Sequence, residues 1–221
     1  MITVSKAIEN RLITEYNFRN TQTIYNAVEK PECNQEIKLQ NILNSNYILY
    51  YGRLVDSVKN ISLLIRSYAI SKLPELNIKL LILGDGDDKN KLIHLSRSLG
   101  LESHVIFKGY ISNPFAYVKN AKFAVLTSKH EGFPMVIPEV LSFGVPFLSV
   151  NCKSGPSEVI QHKENGLLIE NDNEYALADG MNTLVQNEKL YLHCCKKAKE
   201  SIAHLSVKSI QDDWEKLLDS L

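Results

Sequence analysis

Six short apolar runs, each separated from the next by a segment of different periodicity, constrain this chain more than any other feature. They are "YILYYG" (47–52), "IKLLILG" (78–84), "HVIFKG" (104–109), "KFAVLTS" (122–128), "PFLSV" (146–150) and "GLLIE" (166–170). Each is too short for a helix and reads as a buried strand. Between the first two, "VKNISLLIRSYAIS" (58–71) repeats apolar residues at Ile61, Leu64, Ile65 and Tyr68, which is helical spacing. Leu92, Leu95 and Leu99 mark the next helix, and Gly100 stops it. "PFAYVKN" (114–120), "PMVIPEVLSFG" (134–144, with Gly144 past its end) and "GPSEVIQH" (155–162) supply three more. Strands alternating with helices require right-handed crossovers and a parallel sheet covered on both faces. The predicted fold class is therefore α/β, a doubly wound, Rossmann-like parallel sheet flanked by helices.

The flanks differ. In residues 1–46, "MITVS", "KAIENRLITEY" and "TQTIYNAVE" read as strand, helix, strand, and a polar stretch, "KPECNQEIKLQN", follows. This region is too small for a core of its own and is expected to dock on the rest. Residues 173–221 show only helical patterns, with Val207, Ile210, Trp214, Leu217, Leu218 and Leu221 on one apolar stripe.

Charge narrows the function. Lys plus Arg (25) equal Asp plus Glu (25), which argues against a nucleic-acid partner. No apolar run reaches membrane-spanning length, and no signal peptide opens the sequence. Cys33, Cys152, Cys194 and Cys195 lack C-x-x-C spacing and read as reduced thiols. A cytoplasmic location is expected, extending to peripheral attachment at the inner membrane face.

In open α/β sheets, ligands bind outside the carboxyl ends of the strands. Three stretches fall there: Gly52-Arg53 with Lys59, Gly109-Tyr110-Ile111, and "LTSKHEGFPMVIPEVLSFGVP" (126–146). A helix starting near Met135, with Pro138 in its first turn, leaves backbone N–H groups free for an anion. Glu131 precedes that turn, and Glu139 lies about 6 Å along the helix from Met135. A ligand with phosphate between two hydroxyl-bearing groups would meet a carboxylate at each end, and a nucleotide sugar has that shape. A diphosphate needs more charge than a helix end supplies, and Arg53 and Lys59 would provide it. Lys59 at the opening of helix 58–71 is electrostatically unfavourable, which favours a functional reason for it. Each feature also has an ordinary explanation: a glutamate complementing a helix dipole, a solvated glutamate, a surface arginine, a helix-start lysine.

Rival readings are weaker. A dinucleotide oxidoreductase needs G-x-G-x-x-G, whereas "GDGDDK" lacks the third glycine and its aspartates would repel a pyrophosphate. Asp85, Asp87 and Asp88 read as helix-capping turn residues rather than a metal pair. His130 is a candidate general base, and its ordinary reading is a partly buried histidine beside a turn.

At these residues the chain resembles the carboxyl-terminal, donor-binding half of retaining glycosyltransferases of family four, with the B-type two-domain fold. The resemblance rests on "YYGRLVDSVKN", "LILGDGDDKNKL", "VIFKGYI", "SKHEGFPMVIPEVLSFGVP" with its E-x7-E pair Glu131 and Glu139, and "SGPSEVI…NGLLI", in family order. It implies that Arg53 and Lys59 hold the diphosphate, with Gly52 beside them. It implies that Glu131 binds the transferred sugar and Glu139 the ribose. Backbone groups of Gly132, Phe133, Pro134, Met135 and Val136 would contact sugar and phosphate, and Gly109, Tyr110 and Ile111 would border the base. Catalysis would then rest on Glu131, Arg53 and Lys59, with no cofactor and no metal.

The resemblance also divides the chain. Residues 1–46 resemble the end of the family's amino-terminal domain and its hinge. Residues 47–172 would be the Rossmann-like nucleotide-sugar-binding domain, and 173–221 helices that pack on it and toward an acceptor domain. The implied partners are a UDP- or GDP-sugar and a saccharide or lipid-linked acceptor of surface polysaccharide synthesis. The acceptor domain, nearly absent from this sequence, would come from a separate subunit, and a self-dimer is the other arrangement. Transfer by the chain alone is expected to be weak or nil. The alternative is a non-catalytic nucleotide-sugar-binding or interaction module.

Overall fold

The computed structural model describes residues 1–29 and 46–220. The polar stretch "KPECNQEIKLQN", Cys33 and Leu221 lie outside the described residues. At the amino terminus, β1 (Ile2–Thr3), α1 (Lys6–Tyr16) and β2 (Gln22–Thr23) form a small parallel β-α-β unit. The strand expected over 21–29 is only these two residues, because β1 offers no more to pair with. Beyond it the chain is irregular, held by Ile24 N–H donating to Thr3 O (2.9 Å) and Val28 N–H donating to Leu205 O (2.8 Å).

The six expected core strands are all present: β3 (Tyr47–Tyr51), β4 (Lys79–Leu83), β5 (Val105–Gly109), β6 (Ala124–Leu126), β7 (Phe147–Val150) and β8 (Gly166–Ile169). They pair in parallel in the order β5-β4-β3-β6-β7-β8. That order reverses between β3 and β6, which places a topological switch point there. Successive residues face opposite sides. Ile48, Tyr50, Leu80, Ile82 and Leu148 enter one core, while Tyr47, Leu49, Leu81, Leu83 and Phe147 enter the other. On the first side pack α3 (Ile61–Ile70), α4 (Lys89–Ser98) and α8 (Glu174–Gln186). On the second pack α5 (Phe115–Asn120), α6 (Val136–Ser142), α7 (Pro156–Val159) and α9 (Glu188–Ser201).

Two expectations change. The helix expected over 58–71 is two helices, α2 (Asp56–Lys59) and α3, broken at Asn60 with φ 50°. Asparagine tolerates this left-handed conformation. Asp56 then caps α3 from outside, accepting from Ser62 N–H (2.7 Å) and Ser62 Oγ (2.5 Å). Lys59 therefore sits in the last turn of α2, where a cation is favourable, and the electrostatic argument for its function falls away. Nor does Asp88 cap α4: its carboxylate accepts the Asp56 N–H (2.7 Å) and ties the β3 and β4 loops together.

The apolar stripe of α10 (Val207–Asp219) is only partly covered. Ile210 is buried, but Val207, Trp214 and Leu218 are 50%, 42% and 63% exposed.

Candidate functional site

The loops after β3, β4 and β5 are laced together by backbone hydrogen bonds. Gly52 N–H donates to Leu83 O (3.0 Å), Leu54 N–H to Asp85 O (2.9 Å) and Gly84 N–H to Gly109 O (2.7 Å). The approach is so close that a Cβ on Gly84, whose φ is +145°, would overlap the Gly52 carbonyl. Against this floor lies a cavity of about 320 Å³, lined by Tyr51, Gly52, Arg53, Tyr110, Ile111 and Pro114 among others. Two of the three sequence-predicted stretches thus meet at one place: Gly52 with Arg53, and Tyr110 with Ile111. Gly109 is not in the wall; a Cβ on it would point at Lys89 Nζ. The Arg53 side chain is exposed and has no ion pair or hydrogen bond among the described residues.

On the other side of the switch point the two glutamates are already engaged. Glu131 Oε1 accepts from Lys59 Nζ at 2.6 Å, with the two side chains only 12% and 20% exposed. Thr127 Oγ1 donates to Lys59 O (2.9 Å) and Lys129 N–H to Val58 O (2.9 Å), which fixes the end of α2 against the end of β6. Glu139 Oε2 accepts from the Tyr51 hydroxyl at 2.7 Å. That hydroxyl also approaches Val136 O (3.3 Å). Burial raises the Glu139 carboxyl pKa, and the Tyr51 bond offsets part of this. The Tyr51 hydroxyl is pushed well above its ordinary range, first by burial and then by the Glu139 charge.

The turn between the glutamates is partly structural. Phe133 is buried and tilts against Tyr25 with ring centroids 5.2 Å apart. Pro134 is buried against Gly155. Met135 is the N-cap of α6, as the sequence suggested, with Pro138 in the first turn. The N–H groups of Gly132, Phe133, Met135 and Val136 donate to nothing among the described residues, so four donors remain beside the pair.

Glu131 and Gly132 open instead into a second cleft of about 840 Å³, whose far wall is α1. The helix is latched in place by Glu158, which accepts from the N–H groups of Lys6 (2.6 Å) and Ala7 (3.3 Å) and from Tyr25 OH (3.0 Å). Burial and the Glu158 contact push the Tyr25 hydroxyl up to about 12. His130 lines this cleft too.

The sequence-predicted residues thus line two cavities, Gly52, Arg53, Tyr110 and Ile111 the first and Glu131 and Gly132 the second. The sequence reading missed Tyr51, which joins the first cavity to Glu139. Its only signal was adjacency to Gly52-Arg53, since its partner lies 88 residues away. Among the described residues no group of three or more His, Cys, Asp or Glu is arranged to hold a metal ion. No helix among them is long and apolar enough to cross a membrane.

A doubly wound sheet with a cation-bearing loop after its first core strand and an acid-bearing loop after its fourth is a Rossmann-like α/β domain. Comparison with known proteins gives the family. Residues 33–201 match the glycosyl transferases group 1, and the chain belongs to that family, of family-four type with the B-type fold. The N-acetylgalactosamine-N,N'-diacetylbacillosaminyl-diphospho-undecaprenol 4-alpha-N-acetylgalactosaminyltransferase of Campylobacter jejuni is 35% identical over 82% of this chain and 48% of its own length. The poly(ribitol-phosphate) alpha-N-acetylglucosaminyltransferase of Staphylococcus aureus is 29% identical over 100% and 44%. The S. aureus TarM structure with fondaparinux, alpha-GlcNAc-glycerol and UDP superposes with a TM-score of 0.86 at 28% identity, covering 98% of this chain and 43% of that one. Anabaena HepE, bound to UDP and glucose, shares the fold with a TM-score of 0.88 at 22% identity over 100% and 63%. The chain spans about half the length of the curated relatives it matches.

Proposed function

We propose that this chain binds a nucleotide sugar, UDP- or GDP-linked, for retaining transfer to a saccharide or lipid-linked acceptor in surface polysaccharide synthesis. The observation that carries the reading is the switch-point arrangement. An uncommitted Arg53 flanks a cavity of about 320 Å³ after β3, and after β6, the strand paired with β3, come the Lys59–Glu131 pair and four free N–H groups. The base enters the cavity beside Tyr110 and Ile111, and Glu139, steadied by Tyr51, accepts from the ribose. Arg53 and Lys59 hold the diphosphate, and Glu131 accepts from the sugar hydroxyls. UDP in the TarM structure supports uracil as the first base to test.

In the retaining reaction the bond from the anomeric carbon to the diphosphate oxygen breaks. The acceptor oxygen bonds to that carbon on the same face, and its proton passes to the departing phosphate. The protein's part is to stabilise charge developing on the diphosphate, which Arg53, Lys59 and the free N–H groups would do without metal. Activity of the whole is proposed to need an acceptor-binding half, from the same polypeptide, a separate subunit or a second copy.

Calorimetry with UDP, GDP and their sugars tests this. Arg53→Ala should weaken nucleotide binding by roughly 1.5 to 3 kcal/mol, as for a hydrogen bond to a charged group. Lys59→Ala also strands a nearly buried Glu131, so it should cost about 2 kcal/mol of stability as well. Lys59→Ala/Glu131→Ala separates the effects: it should recover stability but not diphosphate affinity. Unchanged affinity in Arg53→Ala and in the double variant would reject the assignment.

A further inference from the structure

The second cleft carries a charge pattern that the donor site does not use. Of the charged side chains lining it, Arg11 is bound to Glu15 (2.8 Å) and Glu131 to Lys59 (2.6 Å). That leaves Lys129 and Lys153, both exposed and neither in an ion pair among the described residues. The fold brings the two together. Ser154 Oγ donates to the Glu131 carbonyl, so the loop bearing Lys153 is fastened to the loop bearing Lys129. The opposite wall is also fixed, because Glu158 holds the start of α1 and Ile8 Cδ1 lies 3.7 Å from where a Cβ on Gly132 would be. In a chain of zero net charge, two uncompensated cations on a built cleft next to Glu131 are a local departure.

Their place relative to the donor decides what they meet. On the proposed reading, on which this inference rests, the nucleotide fills the first cavity and the sugar reaches Glu131. The first cavity and the second cleft share no lining residue, so a nucleotide in the first leaves Lys129 and Lys153 uncovered in the second. We propose that the cleft between α1 and the loops at 129–132 and 153–154 receives a phosphate-bearing acceptor, whose anionic group is held by Lys129 and Lys153. Two lysines on separate loops suit a phosphodiester or diphosphate, which takes point charges from several directions. The cleft's volume of about 840 Å³ leaves room for an adjoining saccharide.

The test uses the 221-residue chain with its donor site saturated by UDP, so that phosphate probes cannot enter there. Farnesyl diphosphate stands for a lipid-linked source and glycerol phosphate oligomers for a polymer source. Farnesol and glycerol are their uncharged controls. At least one phosphate probe should bind and its control should not. Lys129→Ala/Lys153→Ala should weaken that binding tenfold or more, with UDP affinity within twofold of wild type. Circular dichroism checks that the variant is folded. No binding by either phosphate probe, equal binding of probe and control, or an unchanged double variant each overturns the proposal. If UDP itself fails to bind, the donor reading fails separately, and the lysine comparison is run on the probes alone.

Discussion

At the scale of residues, Glu139 shows how burial and a hydrogen bond compete. Burial raises its pKa and the Tyr51 hydroxyl lowers it, leaving a net rise. A carboxyl whose folded pKa is raised adds stability below its unfolded pKa and loses it as pH rises through the folded one. The ionised Glu139 is therefore a cost at neutral pH. Glu139→Gln should raise Tm at pH 7.5, by up to about 1 kcal/mol of stability, because the amide oxygen still accepts from Tyr51. The gap from wild type should close toward pH 4 as the wild-type carboxyl takes up its proton. Tyr51→Phe should act oppositely, costing roughly 1.5 to 3 kcal/mol at neutral pH and less in acid, since the lost bond is charge-assisted. Thermal melts across pH decide it: differences that stay constant from pH 8 to 4 would remove the electrostatic cause.

Elements place these residues, and the loops after β3 and β4 do so through close backbone contact as well as the Asp88–Asp56 bond. Gly84→Ala would drive a methyl group into the Gly52 carbonyl. The β3 and β4 loops would have to part, at a cost on the order of 3 kcal/mol, in the range of severe backbone strain. Arg53 would move with them, so nucleotide affinity should fall even at temperatures where the variant is folded. Wild-type affinity in Gly84→Ala would show that the lacing does not position Arg53. The elements themselves were legible because strand and helix periods differ, and α1 runs over the same residues, Lys6–Tyr16, as its sequence pattern. The break at Asn60 was not, because apolar spacing continues through it from Val58 to Ile61 and only the αL tolerance of asparagine hints at it. Strand-end motifs named four residues that line one cavity, Gly52, Arg53, Tyr110 and Ile111. They could not give the pairings, since Lys59 meets Glu131 across 72 residues of sequence and which acid each donor meets is set by packing. The α10 stripe was equally legible as a pattern, yet a pattern does not say what covers it, and Trp214 and Leu218 remain exposed.

For the molecule as a whole, the proposed donor contacts and the proposed transfer reaction make different demands. Every residue assigned to the nucleotide sugar lies between Gly52 and Glu139, on loops of one six-stranded sheet or on the helices α2 and α6 that follow them, and both cores of that sheet are within the chain. Donor binding should therefore need nothing further. Transfer also needs an acceptor hydroxyl held in line with the anomeric carbon, and a small error in that placement is costly in rate. The relatives that carry out transfer are about twice as long. The 221-residue chain should thus separate the two functions. A nucleotide sugar at 100 times its Kd adds about 2.7 kcal/mol to the folded state. For a domain of this size that is a rise in Tm of roughly 5 to 10 °C. A thermal-shift panel of UDP- and GDP-sugars should return at least one such stabilising hit, and Arg53→Ala should shrink it. The same preparation should show little release of nucleotide diphosphate when an acceptor is added. A panel without any shift at millimolar concentration would mean that the switch-point loops do not form a donor site by themselves. Full turnover would mean instead that α1 and the loops facing it suffice to orient the acceptor.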